Sequence, residues 1–92
     1  MHEITAEKIA RYLDVAHRAL AKAKPAKGHE KEADIILDMA RRYFDDAKHF
    51  EKKGERVTAF AALNYLHGWL DCGARLGFLD VGKDSVLFTV DD

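Results

Sequence analysis

The sequence predicts an all-α fold: an up-and-down three-helix bundle with a short extended C-terminal tail. Three observations lead there. Apolar residues recur every three or four positions through three segments, glycine and proline break that period between them, and the final stretch is β-branched and aromatic instead of helical. The chain has 92 residues, and it carries no internal repeat, low-complexity segment or linker-like composition shift, so one helical domain over 1–92 is expected. A domain this small buries only about 60–65% of the surface of its unfolded chain, which favours supplementary burial against a partner.

Helix 1 is expected over 6–23. Thr5 can cap it, and Ile9, Leu13, Ala16, Leu20 and Ala23 follow at helical spacing. Pro25 and Gly28 then interrupt the pattern. Helix 2, over 30–53, places Ala33, Ile36, Leu37, Ala40, Tyr43, Phe44, Ala47 and Phe50 on one side. The other side carries Asp34, Asp38, Arg41, Arg42, Asp45, Lys48, His49 and Lys52. Lys52 and Lys53 suit the negative end of the helix dipole, and Gly54 suits the left-handed residue just beyond it.

Helix 3, over 55–76 with Gly77 as its stop, follows after so short a turn that an antiparallel hairpin with helix 2 is implied. The tail spans 78–92. Leu79 and Val81 precede a Gly-Lys-Asp turn, and Val86-Leu87-Phe88-Thr89-Val90 reads as extended. A lone strand needs something to pair with or pack on.

Helix 3 is the informative element, because it is apolar around most of its circumference and only Asn64, His67, Asp71 and Arg75 draw a polar line along it. Two neighbouring helices cover about half of such a surface. The remainder calls for further cover, either from Leu79, Val81, Leu87, Phe88 and Val90 folding back over Tyr65, Trp69 and Leu76, or from the same surface of a second copy. Ala59, Ala62, Gly73 and Gly77 lie near one another on one side, where ordinary close packing and a helix stop at Gly77 explain them better than a glycine-mediated helix pair does.

Composition narrows the functional classes. Fifteen basic against sixteen acidic residues leave a net charge of -1, so nothing draws the whole molecule to nucleic acid or to anionic lipid. Cys72 is the sole cysteine, which rules out an intrachain disulfide and a thiolate zinc site within one chain and fits a reducing cytoplasm. No leader-like start and no membrane-length apolar run is evident, so a membrane role is not expected. No metal or cofactor is called for.

The run Tyr43, Asp46-Ala47, Phe50, Gly54, Val57, Ala59-Phe60, Asn64-Tyr65, His67-Gly68, Leu70-Asp71 and Leu76-Gly77 resembles a family of short archaeal proteins known as domain of unknown function family 357. The likeness covers helices 2 and 3 and the Leu87–Val90 tail, with helix 1 matched by type alone. It implies a left-handed three-helix bundle of archaeal origin and no particular activity.

Candidate chemistry is sparse. Asn64, His67 and Asp71 share a helical ridge, and a carboxylate beside an imidazole can orient a general base or a metal ligand. No nucleophile or third ligand accompanies them, so the solvated face of helix 3 is the plainer account. Asp46 and His49 also have carboxylate–histidine spacing, but a di-metal bundle site needs that pair repeated on facing helices. His67 sits about 12 Å away from His49 along the hairpin axis. Arg42-x6-His49 and Arg11-x5-His17 loosely match a helical ribonuclease signature, as pairs of common residues readily do. His17 is expected as a partly buried structural histidine. The cluster Arg18, Lys22, Lys24 and Lys27 lacks the interleaved aromatics of an RNA-binding surface.

Tyr65, Trp69 and Leu76 remain as the best candidate binding surface, since aromatic side chains bring large area and a polar tip to interfaces. The expected function is therefore a non-enzymatic interaction or structural module that presents helix 3 and the tail to a second copy or another protein. A small RNA-binding or RNA-processing factor is the alternative.

Overall fold

The structure is a computed structural model and describes residues 3–82. Three helices, α1 (Ala6–Lys22), α2 (Glu30–Lys52) and α3 (Arg56–Arg75), pack on one another as a bundle. Two dipeptides, β1 (Lys24–Pro25) and β2 (Leu79–Asp80), pair antiparallel at the end of the bundle where α1 finishes and α2 begins. The helix limits fall within one residue of those the sequence predicts.

Local chemistry accounts for the boundaries. The Thr5 hydroxyl accepts a hydrogen bond from the Lys8 amide at 3.1 Å, satisfying one of the orphan donors of α1. Both glycine stops are complete Schellman motifs. At the end of α2 the Gly54 amide donates to the Glu51 carbonyl and the Glu55 amide to that of Phe50; at the end of α3 Gly77 donates to Ala74 and Phe78 to Gly73. Gly54 and Gly77 have φ of +77° and +81°, where a β-carbon would clash.

The core is built largely from alanine on α1 and α2 and leucine on α3. Ala16, Ala19, Ala33, Ala40 and Ala47 are fully buried, and Leu63, Leu66 and Leu70 supply three of the four largest fully buried side chains, with Ile9 the fourth. Small residues on the outer helices let them approach α3 closely, and α3 fills the space between. Among the described residues no polar or charged side chain is buried. The ion pairs Asp14–Arg18, Asp38–Arg42 and Asp45–Lys48 run along single helices in solvent, where such pairs contribute about 0–1 kcal/mol each. Stability rests on the apolar interior.

The β1–β2 pairing was not anticipated. The loop containing Pro25 is one of its strands, and the return of the chain after Gly77 supplies the other. Leu79 and Val81 do fold back, each 4% exposed, but they enter the bundle interior and do not cover Tyr65 or Leu76. A β-carbon on the buried Gly73 would stand 2.9 Å from Leu79 Cδ1 and 3.1 Å from Ile36 Cδ1. Ordinary close packing thus explains Gly73, as predicted. His17 departs from expectation: it is exposed, with its ring 6.0 Å from that of Phe44, because it lies one step too far round α1 to enter the interface. The stretch 86–90, read as extended, lies outside the described residues.

Candidate functional site

The candidate site is built by the helical period of α3. Gly73, Leu66, Ala59, Leu70 and Leu63 project toward the other two helices and are buried. The opposite arc carries Val57, Ala61, Asn64, Tyr65, Gly68, Cys72 and Leu76, all exposed. Val57, Tyr65 and Leu76 are 72%, 62% and 62% exposed, high values for large apolar side chains. In all of α3 the charged residues are Arg56, Asp71 and Arg75, so this outer arc is nearly uncharged.

Along it runs an open groove lined by Ala61, Asn64, Tyr65, Gly68, Trp69 and Cys72. Trp69 is its partly buried wall, packed against the core, while Gly68 leaves the middle of the floor without a side chain. The edge of α2 extends this surface. Tyr43 stacks on Tyr65 with ring centroids 5.4 Å apart and planes at 19°, and Met39 and Ile35 continue the same row of α2 at four-residue spacing, Ile35 being 59% exposed. The sequence reading placed Tyr43 on the apolar side of helix 2, where it packs partly buried against the core, and overlooked Ile35; a second row of apolar residues at spacing four, offset from the buried face, was the available signal.

The polar ridge divides. Asn64 borders the groove, whereas His67 and Asp71 are half-buried on the flank beyond it. Burial holds the His67 imidazole below its ordinary range, and the nearby Asp71 carboxylate offsets part of that effect. The net lowering favours the neutral imidazole over the charged one, which suits packing or a hydrogen bond. Among the described residues no three His, Cys, Asp or Glu side chains are grouped so as to hold a metal ion.

The other candidates are scattered. His49 is exposed with its ring at the edge of Phe50, and Arg42 is held by Asp38 at 3.0 Å, so the Arg42–His49 pair is not assembled into a site. Lys22 and Lys24 line a recess together with Asp80, which sets a carboxylate among the basic residues. No helix among the described residues is long and apolar enough to cross a membrane.

A family profile described as protein of unknown function (DUF357) matches residues 11–79, three quarters of the chain. The chain belongs to this family. The DUF357 match takes in α1 from Arg11, which the sequence reading matched by type alone, and stops at Leu79, short of the Leu87–Val90 stretch included in that reading. Its span contains every residue of the groove and the His67–Asp71 pair. No curated protein and no solved structure matches the chain. Membership in DUF357 therefore agrees with the residue pattern of the hairpin and assigns no chemistry to it.

Proposed function

We propose that this protein is a non-enzymatic interaction module whose docking surface is the outer face of α3 with the adjoining edge of α2. The observation that carries the reading is the nearly uncharged groove beside Tyr65, Gly68 and Trp69, continued by Leu76 and Ile35. Apolar surfaces of this kind on small proteins mark places where another chain packs. Tyr65 and Trp69 are the anchors, each offering a broad ring and a polar tip, and Cys72 adds a thiol that a reducing cytoplasm would keep free. His67 and Asp71 support α3 from its flank.

A charge placed in the middle of this face tests the reading. Tyr65→Glu should leave the helical bundle intact and lower the affinity of the complexes the chain forms, with itself or with a second protein, by about tenfold or more. Those complexes should persist as salt is raised, since apolar contact is little screened. Association that Tyr65→Glu does not alter, or RNA binding that weakens steeply with salt, would defeat the proposal.

A further inference from the structure

The outer face selects its occupant by shape and by charge. We propose that the occupant is a second copy of this chain, seated antiparallel about a two-fold axis that crosses the α2–α3 hairpin beside Tyr43 and Tyr65; the inference rests on the docking reading above and names its partner.

The two sides of the hairpin set the size of what fits. α1 covers one side, with Tyr12 against Phe60 and His17 against Phe44 at 5.2 and 6.0 Å between ring centroids. The Tyr43–Tyr65 stack marks the other side, which is open among the described residues. This open side runs about 28 Å from Val57 to Leu76 and is two helices, roughly 19 Å, wide. A lone partner helix, about 10 Å across, would leave half of it wet. A second hairpin laid on the first covers it whole, as paired hairpins do in a four-helix layer. Two such faces together remove roughly 1,000 Å² of surface, the least that a specific interface needs.

Charge selects the copy and its direction. The outer arc of α3 is nearly uncharged, so it offers nothing to an oppositely charged partner and meets an equal surface without stranding a charge. The charges on the open side belong to α2, in a row that begins at Glu32, passes Arg42 and Asp46 and ends at Lys53, with alternating sign and with Tyr43 near its middle. An antiparallel copy lays α3 on α3 and α2 on α2. Lys53 of one copy then stands beside Glu32 of the other, and Arg42 lies within about one helical turn of the other copy's Asp46, each pairing occurring twice by symmetry. The parallel two-fold arrangement lays this charged row on the uncharged arc of α3 and leaves its charges without counterparts.

Gly68 provides the fit where the two α3 helices meet. It is exposed in mid-helix with nothing within 4 Å of where a β-carbon would stand, at a position where alanine would be favoured by about 1 kcal/mol. Gly73, by contrast, is pressed by Leu79 and Ile36. Beside Ala61 and Cys72, Gly68 leaves a hole in the groove that receives the Tyr65 ring of the other copy, and the symmetry repeats the insertion.

Sedimentation equilibrium tests the proposal. The wild-type chain should pass from one-chain to two-chain mass as concentration rises through the micromolar range, and alkylation of Cys72 by a maleimide should slow in step. Gly68→Leu adds no charge and meets empty space within its own protomer, yet it should raise the dissociation constant of the dimer about tenfold or more. Glu32→Lys should raise that constant about threefold, and adding Lys53→Glu to the same chain should bring it back. A chain that keeps one-chain mass up to about 1 mM overturns the dimer, while the docking reading keeps its own test against a second protein. A dimer that Gly68→Leu leaves as tight as before, or in which the charge exchange restores nothing, lies on another surface or in another register and also overturns it. A dimer indifferent to Tyr65→Glu as well removes the docking reading along with it.

Discussion

Two residues of α3 illustrate how burial and its absence shape single side chains. His67 is half-buried, and its folded imidazole binds a proton less tightly than the ordinary value of 6.5. The unfolded chain therefore takes up more protons as pH falls through about 6.5, and stability declines from there toward the lower folded value, with the full contribution present above that window. We expect the thermal midpoint to fall between about pH 7 and pH 5, and His67→Gln to flatten that part of the profile; an unchanged slope would show that other groups govern it. Gly68 makes the opposite case, an exposed helical glycine with empty space around it. Gly68→Ala should raise stability by about 0.5–1 kcal/mol, seen as a thermal midpoint roughly 2–8 °C higher.

Among the elements, α3 holds the bundle together, because its leucines occupy the space between two alanine-lined helices. Leu66 is fully buried, and Leu66→Ala should cost about 2–5 kcal/mol in denaturant unfolding, a large share of what a domain this small possesses. At the junction with β2, Gly73→Val should cost about 1–3 kcal/mol by forcing Leu79 from its seat. A loss below 0.5 kcal/mol would mean that the seam yields more easily than its spacing indicates. The helices themselves were legible in the sequence because period, cap and stop residues agree: Thr5, Gly54 and Gly77 all perform the roles their chemistry predicts. The β1–β2 pairing was not, since Lys24-Pro25 and Leu79-Asp80 are too short to show alternation and meet only through the packing of the helices. For the candidate site, Tyr65, Trp69 and Leu76, the residues that the apolar excess of α3 singles out, lie on one side of the helix. Ile35 and the separation of Asn64 from His67 depend on how α2 is rotated against α3, which one helix's period does not contain.

For the molecule as a whole, the asymmetry lies in how three helices share one apolar surplus. The inner arc of α3 is spent on the core, β2 fills the seam at one end, and the outer arc faces solvent with hardly a charge on it. On the proposed reading, that exposed apolar arc is where a second protein packs. The most direct test is the affinity of its complexes, measured for the wild-type chain and for Tyr65→Glu at low and high salt. The outer-face account predicts that the substitution lowers affinity about tenfold or more while salt changes it little; equal affinities for the two chains, or binding that collapses as salt rises, would contradict it.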